Sequence, residues 1–209
     1  FCNIFFLIFL IISFLHFGID DKLSSGNLFN NISEILIRGG IIILVPIKFH
    51  FSETEVIFKI LLASEDFLNN LQFFISKLYT FLFFLFIIWT TYNFFLKGLS
   101  FFKDRILFEI IILYFCFYYF EPLISFFTYF CFFHSIRHIN EEMTKLNLNF
   151  IQFFLKTIPF TLFTIIFFLL VYIFFEKYNP ANLIFSYILV GLASLTIPHI
   201  ILVNFIKDY

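Results

Sequence analysis

Four stretches of this 209-residue chain carry no Asp, Glu, Lys or Arg: 1–19, 78–96, 157–175 and 178–206, three of them 19 residues long and the last 29. A helix needs about 20 apolar residues to cross a hydrocarbon core about 30 Å thick, so each run can span a bilayer. The composition agrees: 62% of residues are apolar and 13% charged, against about 25% charged in ordinary soluble domains. So few charges cannot solvate the surface of a globule this apolar. The expected fold is all-α, a polytopic transmembrane helical bundle of about seven spans forming a single integral-membrane domain over residues 1–209. The first run lacks a basic leader and a small-residue cleavage motif, so it reads as a span rather than a signal peptide. The missing initiator Met reads as a fragment without its true N-terminus.

The net charge of -1 and the lack of any Lys/Arg cluster exclude nucleic acid as a partner, because phosphate binding needs clustered cations. Cys2, Cys116 and Cys131 show no C-x-x-C spacing and read as small buried hydrophobes. The 41 Phe read as the coding bias of an A/T-rich gene.

Along the chain, residues 18–34 read as a polar loop. The next apolar stretch, 35–49, carries Arg38, Gly39, Gly40 and Pro46 and reads as short and broken. As a helix, 39–50 would rise only about 18 Å. Residues 52–66 read as an amphipathic interfacial helix, with Ser52 and Glu55 in capping-box spacing. A long span covers 71–96, with Trp89 and Tyr92 suited to an interfacial aromatic belt. Two closely spaced spans follow in 106–136, turning at Glu121-Pro122; a polar loop runs over 134–149, and further spans cover 150–175 and 181–206. If 35–49 crosses, nine cations (Lys22, Arg38, Lys97, Lys103, Arg105, Arg137, Lys145, Lys156, Lys207) fall on one side against four (Lys48, Lys59, Lys77, Lys177). That asymmetry puts the loops near His16 and His134 in the cytoplasm. If the segment re-enters, the count becomes seven against six and decides nothing.

The chain has five His, at 16, 50, 134, 138 and 199, each within or at the edge of an apolar segment. An imidazole in a membrane interior is costly and marks a functional site by default. His134-Ser-Ile-Arg-His138 has i, i+4 spacing, which puts both rings on one face of a helix and lets both bind one ion. Alone the pattern is weak; with His16 and His50 at other span ends it describes a site for iron, zinc or copper. Asp20, one turn after His16, can accept its second ring proton or stand as an exposed loop acid. Glu109, an acid in an apolar stretch, is near a loop, neutral, or paired with a buried cation. It can also support a His ligand. Arg38 either snorkels to head groups or pairs with an internal acid. His199 follows Pro198, whose missing N–H frees a carbonyl that a His can bond, so structural and ligand roles both stand.

The motifs HFGID from His16 to Asp20, RGGIIILVPIKFH ending at His50, PLISFFTYFCFFHSIRH from Pro122 to His138 and SLTIPHIILV around His199 together resemble the Brp/Blh family of membrane β-carotene dioxygenases. The resemblance runs in order from residue 16 to 203, and the Pro122–His138 stretch is its most specific part. It implies an iron(II) enzyme that cleaves the central double bond of β-carotene with dioxygen to give two molecules of retinal. It further implies residence in the bilayer, in the bacterial inner (cell) membrane, and a functional link to a retinal-binding rhodopsin. Carried over residue by residue, the iron ligands are His16, His50, His134 and His138, with Asp20, Glu109 and His199 supporting. Phe17, where a small Gly is common, and Phe51, where Pro is frequent, depart from the family pattern and bear on pocket shape.

Rival readings are a desaturase or hydroxylase, which needs more His and an HxxHH pattern that is missing here, a bis-His haem electron carrier, and a carotenoid- or retinal-binding or transport protein without catalysis. The four-His reading carries a geometric demand. A crossing helix would leave His50 on the opposite face from His16, so Gly39-Gly40 and Pro46 are expected to break the segment and hold His50 at the depth of the other ligands.

Overall fold

The computed structural model describes residues 2–24, 27–60 and 63–176, and among them every regular element is helical. In chain order these are α1 (Cys2–Asp20), α2 (Leu28–Phe49), α3 (Phe51–Ile60), α4 (Glu65–Lys97), a 3-10 segment (Gly98–Lys103), α5 (Arg105–Tyr119), α6 (Pro122–Thr128), a π-helical stretch (Tyr129–His134), α7 (Ser135–Lys145) and α8 (Phe150–Glu176). The all-α class is as expected. Among the described residues three segments are long and apolar enough to cross a membrane, Asn3–Asp20, Glu65–Lys103 and Phe150–Phe167, where the sequence suggested about seven spans. Part of the difference is length, since α5, with 15 residues, rises only about 22 Å. The span expected at 181–206, with His199, lies outside the described residues. The described residues form two compact units, the first ending at Tyr129 and the second starting at Phe130.

In the first unit α2 packs against α1, α4 and α5, and every residue from Ile37 to Ile47 is buried, as suits a helix surrounded by others. The reading of 35–49 as short and broken is overturned. α2 is one helix of 22 residues, about 33 Å long, whose first turn is capped by Asn27: its Oδ1 accepts the Phe29 N–H at 3.0 Å. The glycines are contact points, not breaks. A Cβ on Gly39 would stand 2.1 Å from the Phe14 carbonyl oxygen, and one on Gly18 would stand 2.3 Å from that of Ile35. The two backbones therefore touch, as small residues permit between membrane helices. These pairings, 14 with 39 and 18 with 35, run α1 and α2 antiparallel. Pro46 sits in the last turn, where the helix loses one donor and continues, with the His50 N–H reaching the Pro46 carbonyl at 2.8 Å.

The charges that seemed to end the segment are neutralised inside the unit. Arg38 Nε donates to Glu34 Oε1 at 2.7 Å and an Arg38 terminal nitrogen donates to Glu109 Oε2 at 3.1 Å. Arg105 Nε donates to Glu109 Oε1 at 2.7 Å. The backbone N–H groups of Leu23 and Ser24 donate to the Glu34 carboxylate at 3.0 and 2.8 Å. Two arginines and two glutamates thus form a set of zero net charge joining α2 to α5 and to the turn after α1. Arg38 pairs with internal acids rather than snorkelling, and Glu109 has the buried cation that one sequence reading required.

Other local expectations shift. The loop predicted over 18–34 shrinks, because α1 runs to Asp20 and α2 starts at Leu28. Ser52 does not cap α3; it lies inside the helix and bonds Glu53 at 2.7 Å. Trp89 is 2% exposed, packed edge-on against Phe101 of the 3-10 segment, so it is core rather than belt. The turn at Glu121-Pro122 is present, with Pro122 opening α6. In the second unit the polar loop expected over 134–149 is helical as far as Lys145. Its polarity was read as a loop, but SIRHINEEMTK contains no Gly or Pro.

Gly39→Ala and Gly18→Ala should each destabilise the detergent-solubilised protein by about 1–3 kcal/mol, because the obstructing atom is backbone. Gly40→Ala should cost less, because its Cβ would meet the movable tip of Leu82 at 2.1 Å. Thermal unfolding of the three variants checks this, and equal losses would contradict the backbone contact.

Candidate metal centre

At the end of α1, His16 is 2% exposed and its Nδ1 lies 3.6 Å from Asp20 Oδ2, one helical turn on. The Asp20 side chain is 3% exposed, so it is no loop acid in water. A separation of 3.6 Å exceeds a hydrogen bond, yet a buried carboxylate at that distance favours a proton on Nδ1. The lone pair then resides on Nε2, the tautomer that ligates a metal with a carboxylate behind it. Asp21, also buried, accepts the Tyr129 hydroxyl at 2.5 Å. Tyr129 is fully buried between the Phe17 and Phe117 rings, at 5.5 and 6.1 Å. The sequence reading missed this bond. Its partners stand 108 residues apart and nothing local couples them.

In the second unit, the π-helical stretch passes directly into α7, and π-helical turns recur at functional sites. His134 is 5% exposed and its ring centroid lies 4.5 Å from that of His138, with the planes at 72°. The i, i+4 reading therefore holds. Phe130 lies edge-on to His134 at 5.5 Å. Two imidazoles this close can each turn a nitrogen to one ion at about 2.0–2.1 Å.

His50 is the joint between α2 and α3, and its Nε2 lies 2.9 Å from the Tyr118 carbonyl oxygen. A carbonyl only accepts, so Nε2 carries the proton and Nδ1 the lone pair. That carbonyl is open because α5 stops at Tyr119 and the residue four places beyond Tyr118 is Pro122, which has no N–H to offer.

The antiparallel contacts set His16, between Phe14 and Gly18, level with Ile35–Gly39 of α2. His50 lies 50 - 39 = 11 to 50 - 35 = 15 residues further along an unbroken helix. At 1.5 Å per residue that is about 16–22 Å. The opposite end of α1 confirms the direction: Asn3 Nδ2 donates to Ser64 Oγ at 2.9 Å, and Phe6 packs on Phe58 of α3 at 4.8 Å. Ligands of one ion must converge within a few ångströms. The expectation that His50 shares the depth of His16 is therefore not met, because the glycines and Pro46 do not break α2.

Within the first unit Asp20 stands beside His16, and within the second His134 faces His138. His50 is set apart from His16, Glu109 is engaged by arginines, and His199 lies outside the described residues. Neutral imidazoles with a nearby carboxylate suit a divalent first-row ion such as iron, so the donor chemistry fits.

The sequence matches the β-carotene 15,15'-dioxygenase family over residues 4–207. It is also similar to a β-carotene 15,15'-dioxygenase of uncultured marine bacterium 66A03, 28% identical over 209 residues that cover 96% of this chain and 71% of the relative. No solved structure matches the chain.

Nitrogen-15 NMR of His-labelled protein should report His50 as the Nε2–H tautomer, its signals being those lost in His50→Ala. An Nδ1–H form would contradict the Tyr118 contact. Tyr129→Phe should lower unfolding stability by about 1.5–3 kcal/mol, the scale of a hydrogen bond to a charged group.

Proposed function

The chain belongs to the β-carotene 15,15'-dioxygenase family, and on that footing we propose that it cleaves the central double bond of β-carotene with dioxygen, giving two molecules of retinal. The reaction exchanges one C=C for two C=O groups and consumes the two oxygen atoms of dioxygen. The products would supply a retinal-binding rhodopsin in the bacterial inner (cell) membrane. The observation that carries the reading is the pair of facing imidazoles, His134 and His138, in an apolar chain of this family.

Following the ligand set that the family resemblance implies, His16, His134 and His138 would hold iron(II). His50, the fourth ligand implied by resemblance, is left out because α2 carries it about 16–22 Å from the level of His16. Bound iron(II) would supply open coordination positions for dioxygen. The chain's own residues do the rest. Asp20 keeps the proton of His16 on Nδ1, fixing which nitrogen faces a metal. Phe17 beside His16 and Phe130 beside His134, with centroids at 5.4 and 5.5 Å, keep water from the imidazoles. The substrate is a hydrocarbon dissolved in lipid, and the three apolar segments bring the protein to it.

Expression in bacteria that accumulate β-carotene tests this. The orange colour should fade as retinal appears, as one aldehyde of half the substrate's carbon count. His134→Ala and His138→Ala should each lower turnover at least about 100-fold, on the scale of losing a metal-site group, whereas His50→Ala should keep most of it. A ladder of aldehydes of unequal length would contradict central cleavage.

A further inference from the structure

On the face of α2 turned to α4 and α5 lies a cavity of ≈ 190 Å³ within the first unit. Its walls include Ile37, Gly40 and Val45 of α2, Leu82 of α4, and Ile111 and Phe115 of α5. The lining is apolar apart from the hydroxyls of Tyr79 and Tyr114, which bond to each other at 2.9 Å. A hydrocarbon in this groove therefore leaves neither hydroxyl stranded.

Three observations say what fits. An apolar cavity of about 150 Å³ admits benzene, so this one takes a six-membered ring with methyl substituents. Ile111 and Phe115 on its rim are 39% and 50% exposed, so the groove opens sideways, where a membrane protein meets lipid. Along α2 it runs from Ile37, level with His16, to Val45, eight residues or about 12 Å away. A ring held at the Val45 end leaves a span on the scale of half a symmetric carotenoid to the depth of His16.

We propose that this groove between α2, α4 and α5 holds one cyclic end group of the carotenoid, entering sideways from the bilayer. The proposal rests on the reading of the chain as a carotenoid-cleaving protein. The end group is gripped by shape and apolar contact, and its distance from the central double bond then sets how deep the polyene lies. Gly40 keeps the wall open, because a Cβ there would meet Leu82 Cδ1 at 2.1 Å. An acyclic carotenoid end would fill the same space poorly.

The test uses the full chain in phospholipid nanodiscs, with binding followed by carotenoid absorbance and turnover by aldehyde formation. Ile111→Trp fills the groove from its lipid-facing rim, and Phe115→Ala widens it. The expected result is that Ile111→Trp weakens binding of β-carotene and raises its KM at least about tenfold, while the KM of the acyclic lycopene changes by no more than about twofold. Phe115→Ala should narrow the preference for cyclic over acyclic substrates. If both folded variants bind and cleave the two carotenoids as the wild type does, the groove assignment is overturned while the cleavage reading stands. If Ile111→Trp displaces only co-purifying phospholipid and leaves carotenoid affinity unchanged, the groove is an acyl-chain site and the assignment is again overturned. A wild type that neither binds nor cleaves either carotenoid would overturn the functional reading itself.

Discussion

The carbonyl oxygen of Phe14 lies where any residue other than glycine at position 39 would carry its Cβ, and that of Ile35 does the same to position 18. Backbone contact between α1 and α2 follows, and much of the first unit depends on it. It fixes the antiparallel register that sets the level of His16 on α2. It also brings the turn after α1 close enough for its N–H groups to reach Glu34. In lipid, where apolar side chains gain little by leaving the solvent, such close approach is a principal source of helix association.

The second constraint is charge. Arg38 and Glu34 are buried at 2% and 0% exposure, where an isolated ion is costly. Their stability requires the complete set: two arginines, two glutamates and two backbone donors. The set joins α2 to α5, the two helices that face each other across the apolar groove. The polar core of the unit and its apolar groove therefore share one frame.

Much of this was legible in the sequence. Charge-free runs gave the helical membrane class, the His134–His138 spacing gave a facing pair, and Glu121-Pro122 gave a turn. The meaning of Gly39, Gly40 and Pro46 was not legible, because glycine serves equally to break a helix or to admit a neighbour. Only the neighbours decide between them, Phe14 of α1 against Gly39 and Leu82 of α4 against Gly40. His50 was misread for the same reason: a broken segment could have returned it to the depth of His16, and an unbroken one carries it away. Trp89 shows the limit of reasoning from residue type alone. An amphipathic ring near a helix end suits an interface, but the 3-10 segment folds back and covers it.

The central proposal, which takes its ligands from the family resemblance, is that His16, His134 and His138 hold one iron while His50 does not. X-ray absorption at the iron edge of anaerobically purified protein tests it most directly. The expected result is about one iron per chain with imidazole scattering and nitrogen or oxygen ligands at about 2.0–2.2 Å, unchanged in His50→Ala and lost in His134→Ala. Iron that disappears with His50 as completely as with His134, or a protein that retains no transition metal, would contradict it.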